Sequence, residues 1–411
     1  MPLTTIRDPL WGTIRLDPLA ERLVDAAPFQ RLRHIRQLGW AFLVYPGATH
    51  SRFEHAVGAY HLAGLALARL DEAGALTHVS ALQRAEARMA ALLHDIGHYP
   101  FSHALEEIGL AHHEALGQQL VTSGVIAELL AEALGPDAPA NIAALIRGAS
   151  RSPLQGLIAG SLDLDKLEYL RRDARMCGVP YGDIDVDRLL HAMTIVPAPA
   201  GDAVGQPTLG IAAKGLSALE SLLFAKYQMY RNVYWHHAVR SATAMYKRLV
   251  DDAARAGRVD VARIGSYSDE GLLHALDDAG QTPMLDALRT RRLFKRALDV
   301  PAAELDDPEA LDWISDDRER ARAAEDALAR THGLAPGDLL LDYPAKTQML
   351  GLDIPVVKRE GSVEWLTTAG MAGAIDLPLL STQFYRSARW LRVFSRVPLH
   401  LDAANVLAAL R

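Results

Sequence analysis

Cysteine is almost absent from this 411-residue sequence, with Cys177 its single example. No intramolecular disulfide can form and no thiolate-rich metal site can be built, so a bound metal must take nitrogen or oxygen ligands. Long apolar runs are missing too. No uncharged stretch reaches the roughly 18 residues that a membrane span needs. The opening MPLTTIRDPLWG lacks a basic segment leading into an apolar one, and a cytoplasmic protein is the expectation. Lysine is scarce, at 7 of 43 basic residues, which fits Arg- and Ala-favouring codon usage. With 50 acidic residues the net charge is −7, which argues against general nucleic-acid affinity and leaves only a local basic patch open. There is no fixed-period repeat, no coiled-coil heptad and no low-complexity tract.

Half of the residues are hydrophobic and 23% are charged, so global disorder is excluded. Length alone suggests two or three domains. Residues 1–50 mix short apolar stretches with turns, and Leu32, Ile35 and Leu38 fall at helical spacing. A proline-free apolar helix starts near Phe53. A second runs from about Ala81 until Gly97 and Pro100 stop it. A third, roughly 102–110, takes Ser102 as N-cap with Glu106 and Glu107 in its first turns. Helical patterns continue over 114–134, 140–147 and 153–175. Residues 194–213 read as two strands around a Pro/Gly-rich turn, followed by one long helix over roughly 214–253. Beyond about 290, extended segments (RRLFKRAL, DLLLDYP, IPVVKRE) alternate with helical ones at 316–332 and 402–410. The expected fold class is mainly α, a helical body with a smaller C-terminal α+β region.

Histidine is crowded rather than scarce: ten of the 16 lie between His34 and His113. His94-Asp95 closes an apolar helix, where the unwinding backbone lets adjacent side chains converge on one ion. Imidazole with carboxylate suits Mn, Fe, Zn, Ni or Mg. Two ligands are not a site. His55 and Asp165, each on a different predicted helix, are candidates for the rest, since helical bundles build metal sites from facing positions. A His-Asp pair alone is commonplace. HDIGHYPFSH, however, holds three histidines in ten residues within an apolar setting, and burying unpartnered imidazoles there would cost several kcal/mol.

These segments carry a resemblance. RLRHIRQLGWAFLVYPGATHSRFEHAVGAYHLAG, LLHDIGHYPFSHALEE, HHEALG and DLDKLEYLRRD, in this order and spacing, resemble the HD-domain phosphohydrolases. The nearest branch is the deoxynucleoside triphosphate (dNTP) triphosphohydrolases, including the eukaryotic SAM-and-HD-domain enzyme and its bacterial relatives. The resemblance covers nearly the whole chain, RRLFKRA at 291–297 included, and no SAM domain is present. It implies an HD-domain helical bundle over residues 1–289, with the HD core at about 50–175. Residues 290–411 become an α+β regulatory or oligomerising region, and the assembly a homo-oligomer, dimer or tetramer.

By that resemblance His55, His94, Asp95 and Asp165 ligate a divalent metal, and His98, His103 and His113 surround the phosphates. His103 and Glu106 share a helix face. His103 is assigned as the acid that protonates the departing 5′ oxygen, with Glu106 orienting it, although the family position usually holds Asp. Arg52 and Lys166 match phosphate-contacting residues, Tyr169 lies one turn beyond Lys166, and Lys226 falls where the family usually has Arg. Gln37, Leu38, Asp173 and Tyr234 are implied in sugar recognition, Gln37 and Asp173 at the 3′-hydroxyl and Tyr234 crowding the 2′ position. Asp25, Gln30, Arg33, Arg291 and Lys295 resemble residues that bind a nucleotide effector, GTP or a dNTP, at subunit contacts. Arg7 departs from a polar amide there. The implied reaction is attack by a metal-activated water on the α-phosphorus, giving deoxynucleoside and inorganic triphosphate.

Two rivals remain. The same site suits another phosphoester, such as a nucleoside monophosphate or a cyclic nucleotide. The chain also suits a nucleotide-sensing or single-strand-binding oligomer. That reading uses RLRHIRQ and RSARWLRVFSR, where Arg386, Arg389 and Arg392 interleave with Trp390 and Phe394.

Overall fold

Two capping boxes set the centre of the molecule. Ser51 and Glu54 exchange side-chain and backbone hydrogen bonds at the start of the Arg52–Glu72 helix, and Ser80 and Gln83 do the same for Ala81–Leu93. The computed structural model describes residues 4–197, 207–280, 282–344, 352–367 and 369–410. Arg52–Glu72 is apolar around most of its circumference, as a helix enclosed by neighbours must be. Ala81–Leu93 and Leu164–Cys177 pack on it. Asp163 caps the latter through the Lys166 N–H, and Gly178 ends it at a φ of 69°.

The turn after Ala81–Leu93 is tight: the Ile96 and His98 N–H groups donate to Leu93 and Asp95 carbonyls. At Gly97 the His113–Thr122 helix presses its first turn against the backbone. A β-carbon there would fall on the His113 carbonyl and the Gly117 nitrogen.

The expected helix over roughly 102–110 is instead a 3-10 segment, Ser102–Ile108. Ser102 does not cap it. Phe101 and Ser102 both have left-handed backbone, with φ of 58° and 64°, and the Ser102 hydroxyl serves other partners. The single long helix expected over 214–253 is broken. Leu216–Met229 passes into a widened π turn, Tyr230–Tyr234, before His237–Arg255 begins. The extra residue in that turn rotates Tyr234 toward the Leu164–Cys177 helix, where its hydroxyl meets Asp173. The pattern over 153–175 resolves into Gln155–Ile158 and Leu164–Cys177, and Leu32 and Ile35 lie buried around the short 3-10 turn Arg31–His34.

Among the described residues, strands form three small sheets. Thr4–Asp8 and Gly12–Leu16 make an N-terminal hairpin, which the sequence reading missed. The expected strands near 194–213, Met193–Pro197 and Pro207–Ala212, pair antiparallel; the turn between them lies outside the described residues. Ile354–Val357 and Val363–Leu366 complete their sheet. Lys295–Pro301, Trp390–Ser395 and Leu339–Asp342 form the third, with Trp390–Ser395 in the middle. One apolar core spans the first 235 residues and takes in residues 352–388. A second surrounds His237–Arg255, and a third fills the C-terminal sheet. Among the described residues no helix is long and apolar enough to cross a membrane.

Gly97→Ala and Gly117→Ala form a discriminating pair. Gly117 has open van der Waals room around a β-carbon, at 3.6 Å or more. Thermal denaturation should show Gly97→Ala destabilised by about 3 kcal/mol or more. Gly117→Ala should be neutral or gain up to about 1 kcal/mol from helix propensity.

Candidate active site

Four side chains from three helices converge. His55 Nε2 lies 3.0 Å from Asp165 Oδ1, 3.1 Å from His94 Nε2 and 3.4 Å from Asp95 Oδ2. His94 Nε2 is 3.5 Å from Asp95 Oδ1 and from Asp165 Oδ1. The far nitrogens are committed elsewhere: His55 Nδ1 meets Glu168 Oε2 at 2.7 Å and His94 Nδ1 meets the Ala91 carbonyl at 2.9 Å. Both acceptors favour the Nδ1–H tautomer, which leaves the Nε2 lone pairs facing each other. Burial opposes charge on His55, yet Asp165, Glu168 and Asp95 raise its pKa to about 10. The field here holds a cation, and His55, His94 and Asp95, with Asp165 3.0 Å from His55, are a donor set that fits a divalent ion.

Arg52 sits beside this cluster, its Nη1 2.6 Å from Asp95 Oδ2 with both side chains almost fully buried. Burial raises the Asp95 pKa, but Arg52 and the neighbouring histidines prevail and hold the carboxyl well below its usual range. Arg52 Nε donates to Ser102 Oγ at 3.1 Å, and that hydroxyl also lies 2.8 and 3.0 Å from the Arg36 and Gln37 carbonyls. The left-handed pair Phe101–Ser102 is therefore over-determined, as strained backbone must be. Phe101 stacks on Trp40 at 4.2 Å, and its N–H donates to Asp269 at 2.7 Å. The strain delivers His103 to the cavity.

His98, His103 and His113 form a second cluster, with His98 and His113 ring centroids 3.7 Å apart. Glu106 serves several histidines: His113 Nδ1 at 2.6 Å, His103 Nδ1 at 3.4 Å and His112 Nδ1 at 3.6 Å. Burial opposes its charge, but His103 and His113 hold its carboxyl well below the usual range. Burial and the Arg52 charge push His98 down, so it is a neutral imidazole at neutral pH.

A cavity of about 910 Å³ joins these groups. Its walls include Gln37, Leu38, Arg52, His94, Asp95, Asp165, Lys166, Tyr169, Asp173, Lys226 and Tyr234. His55 lies behind them, fully buried. Lys166 folds back on Asp163 and donates to the Gly160 carbonyl at 2.9 Å. Burial, reinforced by Lys166, lowers the Lys226 pKa to about 8. Asp173 accepts from Tyr234 at 2.7 Å and lies 2.8 Å from His50 Nε2. The Gln37 side-chain oxygen is buried without a hydrogen-bond partner.

The remaining expectations lie elsewhere. Gln30 accepts from Arg33 at 2.8 Å and donates to the Val24 carbonyl, while Arg33 covers the Phe53 ring and Asp25 is exposed. Arg291 donates to the Leu43 carbonyl, and Lys295 is exposed opposite Ser395. Of the groups assigned to strand binding, Arg389, Arg392 and Phe394 are a correction, while Arg386 and Trp390 are half-buried. Arg389 is fully buried on Asp312, Tyr385 and the Pro344 carbonyl, and Arg392 on Asp299. Phe394 is buried too. These groups bind the C-terminal sheet together and present no stacking surface.

A scan of family models matches the HD domain at residues 52–172 and an HD associated region at residues 184–370. An uncharacterized Methanocaldococcus jannaschii protein is 31% identical over 360 residues, covering 87% of this chain and 73% of its own length. The chain belongs to the HD-domain phosphohydrolases. The human deoxynucleoside triphosphate triphosphohydrolase SAMHD1 is 43% identical over 104 residues, a quarter of this chain and 17% of that protein. This HD-domain phosphohydrolase also shares its fold with solved structures. A hypothetical protein from Aquifex aeolicus has a TM-score of 0.73 and 25% identity over the full length of both chains. A phosphohydrolase from Bacteroides thetaiotaomicron has a TM-score of 0.72 over 96% of this chain and all of its own, and at 22% identity it shows the fold alone.

Several site-building residues escaped the sequence reading. Glu168 lies in the same LDKLEYL motif as Asp165, so a search for carboxylates at i+3 from a ligand finds it. His50 stood among the unassigned histidines. Asp269, Glu107 and Arg240 carried no local signal. Glu107, adjacent to Glu106, is clamped by Lys247 at 2.6 Å and Arg240 at 3.2 Å, and Arg240 continues to Asp342 in the C-terminal sheet.

Asp269 gives the site a pH signature. Burial raises its pKa to about 6, against the pull of the Phe101 and Arg36 N–H groups. The folded state therefore binds the extra proton between about pH 4 and 6. The stability from this proton is fully present below about pH 4 and is lost as the pH rises through about 6, on the order of 2–3 kcal/mol. The Tm of the wild type relative to Asp269→Asn should fall across that window; parallel curves would contradict it.

Proposed function

We propose that this HD-domain phosphohydrolase hydrolyses dNTPs to deoxynucleoside and inorganic triphosphate. What carries the reading is that one cavity gathers both sets of groups: His94, Asp95 and Asp165 of the candidate metal cluster, with His98, His103 and His113, share its lining with Gln37, Asp173 and Tyr234. In this reading the triphosphate lies among the histidines and the sugar beside Gln37, Asp173 and Tyr234, with the α-phosphorus at the cluster. A divalent ion held there, Mn, Fe, Zn, Ni or Mg, supplies Lewis acidity that activates water and offsets charge on a phosphoryl oxygen.

The chain's own groups do the rest. Arg52 fixes the Asp95 carboxylate and contributes positive charge near the phosphates. Lys166 and Lys226 add point charges, and Tyr169 closes the wall. His103 donates its proton to the leaving 5′ oxygen, so the deoxynucleoside departs neutral. Glu106 holds the Nδ1 side of His103 and His113, and His98 with His113 lines the phosphate path. Gln37 offers its unpartnered oxygen to the 3′-hydroxyl, with Asp173 beside it and Leu38 flanking the ring. Tyr234, tied to Asp173, occupies the space a 2′-hydroxyl needs, which selects deoxyribose. A nucleotide effector, GTP or a dNTP, belongs to the same proposal, through Asp25, Gln30, Arg33, Arg291 and Lys295 at contacts of a homo-oligomer.

Product analysis with each dNTP and an NTP control, with and without GTP or dATP, tests this reading. Triphosphate and deoxynucleoside should appear from dNTPs alone, and Asp95→Ala should lower kcat at least 10³-fold, the scale of losing an electrostatic centre. Monophosphate with pyrophosphate would place the cleavage elsewhere and overturn it.

A further inference from the structure

The N-terminal hairpin lies outside the matched HD segment, yet its turn reaches the metal cluster through two contacts. Trp11 Nε1 donates to Glu168 Oε1 at 2.8 Å. Asp8 Oδ2 pairs with Arg172 Nη1 at 2.9 Å, and Arg172 in turn holds the same Glu168 oxygen through Nε at 2.8 Å and Nη2 at 2.6 Å. Glu168 and Arg172 are both fully buried. One carboxylate oxygen thus receives two hydrogen bonds and an ion-pair contact, and the other has the His55 Nδ1–H at 2.7 Å.

We propose that Trp11 and Asp8 are positioning residues of the metal centre, fixing Glu168 so that it orients His55 as a ligand. The reason is geometric. A carboxylate with one saturated oxygen cannot rotate, so it neither swings in as a competing ligand nor releases the Nδ1 proton that sets the His55 tautomer. The hairpin turn is locked for the purpose. Asp8 Oδ1 accepts the Leu10 and Trp11 N–H groups, each at 2.8 Å, which aims the indole at Glu168. The Arg52–Glu72 helix leaves the space open: a β-carbon at Gly58 would overlap Glu168 Oε1 and approach Arg172 Nη2 to 2.8 Å.

The inference rests on the metal reading of His55, His94, Asp95 and Asp165, and the test separates the two. Metal-free protein is titrated with Mn²⁺ and free ion is followed by electron paramagnetic resonance. Glu168→Gln should weaken Mn²⁺ binding about 10- to 100-fold, the scale seen when the partner of a ligating imidazole is lost. Trp11→Phe keeps the ring and deletes the donor. It should weaken binding several-fold while the metal-free protein keeps its fold by circular dichroism. Because both act through one carboxylate, the double variant should bind no more weakly than Glu168→Gln alone. Wild-type affinity in Trp11→Phe, or losses that multiply in the double variant, would overturn the role of the hairpin while leaving the metal centre standing. A wild type that binds no Mn²⁺, with His94→Ala indistinguishable from it, would remove both.

Discussion

The buried ion pair between Arg52 and Asp95 is the constraint on which the site is built. It joins the first residue of one central helix to the residue just past the end of another. A lone buried charge of either kind would be strongly destabilising, whereas a paired one with its hydrogen bonds satisfied is tolerated. Arg52 adds to the pair a hydrogen bond from its Nε to Ser102. That bond ties the cluster to the strained turn before His103 and, through Ser102, to the backbone at Gln37. One guanidinium thus holds three parts of the cavity in register.

Much of this was legible because it is local. A helix that stops at His94-Asp95, with Gly97 and Pro100 just behind it, leaves its mark within a turn of sequence. The four proposed ligands were found by residue type and helix position, and the resemblance selected the same four. Contacts between distant positions left no such mark. Glu168 meets His55 across 113 residues, Asp269 meets Phe101 across 168 and Arg240 meets Asp342 across 102.

Each misread element has its own cause. Ser102 has the residue type of a helix cap, but three competing partners draw its hydroxyl away and leave a left-handed backbone. The π turn adds a single residue to an otherwise regular helix, too small a change to disturb the apolar period. Arg389 and Arg392 look like surface charge because arginine is seldom buried. They are interior because Asp312 and Asp299 are placed to receive them.

The missing side chain at Gly58 has a consequence for both central helices. Positions 58 and 168 occupy one volume between two helices. A side chain at 58 is compatible with an acidic residue at 168 only if that residue is shorter, and a longer acid at 168 demands glycine at 58. The two positions are sterically coupled, so a carboxylate on one central helix limits what the other can carry at position 58.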